Sequence, residues 1–258
     1  MISITINIKE RILTFLILSS IFQSYAWAYD FVAGGIYYNI LSKKDHTVSV
    51  TYKDPRTDTQ YFPSVYKGKV VVPSSVTYKG VKYTVVEIGK KAFCFGEKLT
   101  AVTIPPTVRS LRMCAFGLTS LTSLHIPASV VKIEPGFLQN SSKMKTITVA
   151  ANNPYFKAVK NVLFNKDMTR LIYCTQAKRN AYTIPSSVKR LEDQAFDCCT
   201  ILKLTIPSSV KVYVGNPFQS LSYLKCIHKA ENVKHIPLYK RQKSCDFMSP
   251  GVSYREKL

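Results

Sequence analysis

The pentapeptide Ile-Pro-Ser-Ser-Val occurs twice, at residues 184–188 and 206–210, with its copies 22 residues apart. Val72-Pro-Ser-Ser-Val76, Ile104-Pro-Pro-Thr-Val108 and Ile126-Pro-Ala-Ser-Val130 vary the same word, and Ile104 to Ile126 is again 22 residues. A degenerate copy, Ile147-Thr-Val149, follows 23 residues after Ile126. A second word precedes each strand: Ala92-Phe93, Ala115-Phe116, Gly136-Phe137, Ala195-Phe196 and Pro217-Phe218. A fixed period in the twenties marks a solenoid of small stacked units.

The chemistry of one unit agrees. Val102-Thr-Ile104, Leu124-His-Ile126, Ile147-Thr-Val149 and Leu204-Thr-Ile206 alternate apolar with polar, the pattern of a short strand with one inward face. Proline ends each strand because it has no N–H for the ladder, and the Ser or Thr after it turns the chain. Val188, Leu191 and Phe196 are then expected to return to the core. One unit cannot bury its own apolar residues, so the units must share a core and align their strands in parallel. Thr103, His125, Thr148, Thr183 and Thr205 are expected to face outward from one such sheet.

Val188, Leu191, Ala195, Phe196, Cys199, Leu204, Ile206 and Pro207 together resemble the BspA-like leucine-rich repeat of exported bacterial proteins, with one residue missing between Phe196 and Ile206. The resemblance covers residues 72–232. It implies a mainly β fold: a leucine-rich-repeat solenoid of ~22-residue period with a parallel strand sheet. It also implies surface-associated adhesion, including binding of host matrix or plasma proteins. Leu224-Lys-Cys-Ile227 resembles a closing coil.

Two regions depart from the period. The 35 residues between Val149 and Ile184 contain Val162–Phe164 and Leu171–Tyr173 around Asn165-Lys-Asp-Met168, which predicts a β-hairpin budding from the stack at about residues 152–176. Residues 29–71 read as a strand-rich N-terminal cap that covers the first coil's open edge. Lys79-Gly80 is expected to turn a hairpin between Val76–Tyr78 and Val81–Tyr83. Residues 233–258 read as a basic, loosely ordered tail.

The first 28 residues read as a secretory signal. Lys9 and Arg11 precede a short apolar run, and Ala26-Trp27-Ala28 is a small-x-small cleavage site. Ser19, Ser20, Gln23 and Ser24 leave that run too short to span a bilayer, and no later segment reads as a transmembrane span. The chain is thus expected outside the cytoplasm: secreted, at the cell surface or in the periplasm. The formal net charge is +21, and loss of the leader leaves it near +20, a strong bias toward anionic surfaces. Lys178-Arg179, Lys189-Arg190 and Lys240-Arg241 lack the aromatic interleaving of a nucleic-acid module, so specific nucleic-acid binding is not expected.

No nucleophile elbow, HExxH or phosphate-cradling glycine loop is present, and the carboxylates scatter. His46, His125, His228 and His235 lack metal-ligand spacing, and the seven cysteines include no CxxC pair. The expectation is a protein with no catalytic residue, no metal and no cofactor. Cys199 reads as a small buried hydrophobe. Cys114, aligned with Lys91 and Gln194, reads as exposed. Disulfide pairing stays open because the count is odd.

The expected partner is a protein, either a host extracellular or another surface protein, or else an acidic glycan met through charge. Candidate binding residues are Thr103, His125 and Thr205 on the strand face, and a basic ladder of Arg109, Lys132, Lys189 and Lys211 read as equivalent positions just past the repeated word. Lys189 and Lys211 are expected about one strand spacing of ~5 Å apart.

Overall fold

In the computed structural model, which describes residues 28–59, 61–176, 181–221, 224 and 226–229, the repeated word is a turn. The carbonyls of Pro105, Pro127, Pro185 and Pro207 accept the N–H of Val108, Val130, Val188 and Val210, at 3.0–3.3 Å. Each of these valines is buried. In three of these four words the Ser or Thr before the valine closes the coil onto its predecessor, whereas Ser209 Oγ is buried without such a bond among the described residues. Thr107 Oγ1 donates to the Val85 carbonyl at 2.7 Å, Ser129 to Val108 at 2.7 Å, and Ser187 to Met168 at 3.1 Å. The word therefore recurs because its proline ends the strand, its hydroxyl in three copies ties the coil to the one before, and its valine re-enters the core.

The first six strands are β1 (Phe31–Ala33), β2 (Ile36–Ser42), β3 (Thr47–Thr51) and β4 (Gly68–Val71), within the residues read as the cap, followed by β5 (Ser75–Tyr78) and β6 (Val81–Ile88). The hairpin at Lys79-Gly80 forms as the sequence predicts, with φ of 48° and 78°, both in the left-handed region that a two-residue type I′ turn requires. β6 joins cap to solenoid: it pairs in parallel with β3 on one side and with the first coil's return strand on the other. β4 is already a coil strand, since it pairs in parallel with the first strand beyond the cap.

The coils contribute β7 (Leu99–Thr103), β8 (Ser110–Leu111), β9 (Ser123–Ile126), β10 (Lys132–Ile133) and β11 (Thr146–Val149), then β12 (Phe156–Val159), β13 (Val162–Asn165) and β14 (Arg170–Cys174) in the insertion. β15 (Ala181–Thr183), β16 (Arg190–Leu191), β17 (Lys203–Ile206), β18 (Val212–Tyr213) and β19 (Cys226–Lys229) complete them. The outward strands pair in parallel, but in three ladders rather than one continuous sheet: β4–β7, β9–β11 and β15–β17–β19. The insertion separates the second ladder from the third. The return strands likewise form β6–β8–β10 and β14–β16–β18.

The expectation that the insertion buds outward as a hairpin is corrected. β13 and β14 do pair antiparallel, but a third strand, β12, joins them, and β14 continues into the coil wall through β16. Val162, Leu163, Phe164 and Leu171 are all buried. Leu163, Ile172 and Tyr173 complete the first hydrophobic core, while Val162, Phe164, Leu171 and Cys174 begin a second. A run apolar on both faces belongs inside a structure rather than on a projecting hairpin.

The aromatic words stack as rings: Phe93 on Phe116 at 5.6 Å, and Phe196 on Phe218 at 5.7 Å. Gly136-Phe137 is offset by one. Phe116 N–H donates to the Phe137 carbonyl as Phe93 N–H donates to that of Ala115, so Leu138 takes the ring position and Phe137 instead meets Tyr173 edge-on at 5.9 Å. Cys199 is fully buried, with Sγ 2.9 Å from the Cys174 carbonyl. Cys114 is buried too, contrary to the expectation of exposure. Its column consists of left-handed turn residues (Lys91, Cys114 and Gln194, φ 54–59°), and its Sγ turns to Gln139 Oε1 at 2.8 Å. The leader and the tail lie outside the described residues, apart from Ala28.

Candidate binding surface

The outward strand positions form two exposed columns. One runs Val71, Thr103, then His125 beside Thr148, and resumes beyond the insertion as Thr183, Thr205 and His228. The other holds Lys69 and Ala101, Ser123 and Thr146, then Ala181 and Lys203. Strand alternation imposes this: Leu124, Ile147 and Leu204 point into the core, so their neighbours must face solvent. Thr103, His125, Thr148 and Thr183 are exposed, and Thr205 is half-buried. His125 Nδ1 lies 2.9 Å from Thr148 Oγ1, a lateral bond from one coil to the next. The face is short-chained and hydroxyl-rich, with exposed Val71 at the cap end. Such a face costs little side-chain entropy when it is covered.

The basic ladder divides. Lys189 and Lys211 are neighbours as expected, with the Lys211 N–H donating to the Lys189 carbonyl at 2.9 Å, and both side chains are exposed. Arg109 is also exposed, but its neighbour in the next coil is Val131, whose N–H donates to the Arg109 carbonyl. Lys132 lies one position on, opposite Ser110, and its ammonium reaches Glu134 at 3.3 Å. The Val130-Val131 pair therefore shifts Lys132 out of the column read from the sequence.

Beside the ladder, cations are consumed by carboxylates. Arg112 bridges Glu87 and Glu134 at 3.7 and 3.1 Å. Glu192 is buried and held by Arg170 at 2.7 Å and Arg190 at 2.8 Å. Arg190 is thus committed while its neighbour Lys189 is free of carboxylates among the described residues. Sequence spacing alone carried no sign of which cations these acids would claim. Among the described residues no three His, Cys, Asp or Glu side chains converge, and no helix is long and apolar enough to cross a membrane.

The BspA type leucine rich repeat region matches the chain in six copies, over residues 73–179 and 173–245. No curated protein sequence matches the chain. Among solved structures, the pneumococcal vaccine antigen PcpA superposes with a TM-score of 0.52 at 18% identity, over 77% of this chain and 69% of that one. A leucine rich cell surface protein from Faecalibacterium prausnitzii gives 0.45 at 20% identity, over 77% and 76%. A leucine-rich repeat protein from Eubacterium ventriosum gives 0.45 at 17%, over 77% and 71%. Because the repeat model spans well over half its length, and the parallel coils and buried valine turns carry that repeat in three dimensions, this chain belongs to the BspA type leucine-rich repeat family.

Proposed function

We propose that the protein is a non-enzymatic, exported binding protein that works at or beyond the cell surface, and that its outward strand face docks a protein partner. The observation that carries this reading is the outward column of exposed Thr103, His125, Thr148 and Thr183 with half-buried Thr205. A shallow face of hydroxyls and imidazole suits a broad, shape-matched interface rather than a small ligand. The leader-like residues 1–28 support export, and the shared fold of a vaccine antigen is in keeping with surface exposure.

The test is capture of host extracellular proteins by the chain without residues 1–28, comparing the parent with a variant carrying T103E, H125E and T205E. Thr103 and His125 are exposed and Thr205 half-buried, all on the outward side of their strands, so the substitutions leave the core intact. The face variant should lose the partners the parent captures, and equal capture by both would refute the strand face as the docking surface.

A second reading has its own observation in support. Every Asp and Glu among the described residues is engaged by the protein itself, through backbone N–H groups, hydroxyls or cations. The formal charge stays strongly positive, and exposed cations in the cap turns (Lys43, Lys79) as well as in the coils (Arg109, Lys189, Lys211) meet no carboxylate among the described residues, which supports an acidic glycan as partner. Binding of that kind weakens steeply as salt rises, whereas a shape-matched protein interface persists.

A further inference from the structure

The cap holds a concave site apart from the strand face. β1, β2, β3, β6 and β5 pair in that order, and β5 returns against β1, where Phe31 and Tyr78 stack at 4.3 Å and 7°. The ring of strands is filled by Phe31, Tyr38, Val48, Val85 and Tyr83. Its mouth opens as a groove of about 610 Å³ between the end of β2 and the β5–β6 hairpin. Mouths of strand rings are recurrent ligand sites, and this volume lies in their usual range.

The lining has a definite polarity. Ile40, Leu41 and Val81 supply aliphatic wall, and Leu41 is 50% exposed. Two turns place ammonium groups at the rim: Lys43 after β2, and Lys79 at the hairpin tip, 5.3 Å from the Tyr78 ring centre. Neither reaches a carboxylate among the described residues. Among the described residues the one acid lining the groove is Asp30, whose Oδ2 accepts the Ile40 N–H at 2.7 Å. Asp45, in the same turn as Lys43, is turned to Ser42 at 2.8 Å. Two ammonium groups thus face one lining carboxylate that is directed at the backbone, and the net positive charge left at the concave rim is one that an anion relieves.

We infer that this groove seats an acidic sugar residue of an anionic polysaccharide, with its carboxylate or sulfate between Lys43 and Lys79 and its C–H face on Leu41 and Val81. The inference rests on the acidic-glycan reading above and gives it a site. Exposed Lys44, in the same turn as Lys43, extends the positive rim toward the next anionic residue of the chain. A stiff polymer of rings also loses less conformational freedom on binding than a flexible acidic peptide would.

Isothermal titration with a heparin-derived octasaccharide at about 0.15 M salt tests this on the chain without residues 1–28. K43Q/K79Q should weaken binding by about tenfold or more, as expected for loss of two charge-assisted contacts. R109Q/K189Q/K211Q, which removes more charge elsewhere, should change it by less than about threefold. Filling the groove with L41W should also weaken binding while every lysine is kept, and unchanged melting would confirm that each variant folds. Unaltered binding by K43Q/K79Q, equal losses from both charge variants, or equally tight binding of a poly-glutamate of matched charge would overturn the groove. A parent chain that fails to bind the octasaccharide would overturn the glycan reading together with the groove.

Discussion

The backbone N–H of Asn140 donates to the carboxylate of Asp197, a partner 57 residues further along the chain. Ser220 Oγ reaches Asn140 Oδ1 at 3.4 Å from the coil beyond. The turns of coils on either side of the insertion are therefore bonded to one another, although three extra strands are threaded between them elsewhere. The insertion interrupts the strand ladder without parting the stack.

This clamp has a pH signature. Asp197 is buried, and burial raises its carboxyl pKa above the ordinary 3.8, against the opposing hydrogen bonds from Asn140, Ser220 and Cys198. The folded chain therefore holds this proton more tightly than the unfolded chain does. Its contribution is fully present below about pH 3.8 and is lost as pH rises through the raised folded value. Asp197→Asn removes that dependence. Urea midpoints at pH 3.5 and pH 7 should show the parent losing ground to the variant as pH rises, and a constant gap between them would refute the burial argument.

Phe196 is fully buried, stacked on Phe218 and 6.2 Å from Tyr182. Phe196→Ala should cost about 3–5 kcal/mol, because the shared core cannot collapse around the void. Since coils are stabilised by their neighbours, hydrogen exchange should accelerate in β17 and β18 as well as in the mutated coil. An unchanged melting temperature would place Phe196 outside the core.

The repeat was legible because its period constrains every coil alike: the parallel strands, the inward Val188, Leu191 and Phe196, and the closing coil at Ile227 all follow from it. The insertion was only half legible. Val162–Phe164 and Leu171–Tyr173 announce two strands, but a continuous apolar run does not say which structure covers it, and Phe156–Val159 alternates too weakly to stand out beside them. Lys132 was misplaced because the word that fixes the register ends at Val130, and the next side chain, Val131, is apolar and takes the ladder position. Cys114 misled because its column-mates Lys91 and Gln194 share its left-handed turn but carry long polar side chains that stay partly exposed, whereas the short thiol is buried against Gln139. The cap groove was hidden for another reason: Lys43 and Lys79 lie in separate turns that only ring closure brings to one rim.

Thiol reactivity gives a third test. Burial pushes the Cys94 and Cys198 thiols up to about 12 and holds Cys199 well above its ordinary value. The thiolate is the reactive species, so at pH 8 these three should resist iodoacetamide in the native chain and react promptly in urea. Peptide mass spectrometry resolves the sites. Rapid native labelling of Cys94 or Cys198 would show that these turns open readily.

The last prediction concerns Glu192, whose carboxylate is almost wholly buried between two half-exposed arginines. Arg170 Nε and Arg190 Nε donate to the same oxygen at 2.7 and 2.8 Å. Arg170 belongs to the insertion and Arg190 to the following coil, where they pair in register across β14 and β16. Glu192 thus offsets the repulsion between two aligned cations and ties the insertion into the wall. Glu192→Gln keeps the shape but supplies one neutral acceptor, so it should cost about 1–3 kcal/mol. Removing one cation as well, in the double variant with Arg170→Gln, relieves the exposed repulsion and should recover part of the loss. The double-variant cycle in urea reads the coupling directly. Purely additive losses would mean that Glu192 contributes only its own burial and that the arginine pair tolerates its own charge.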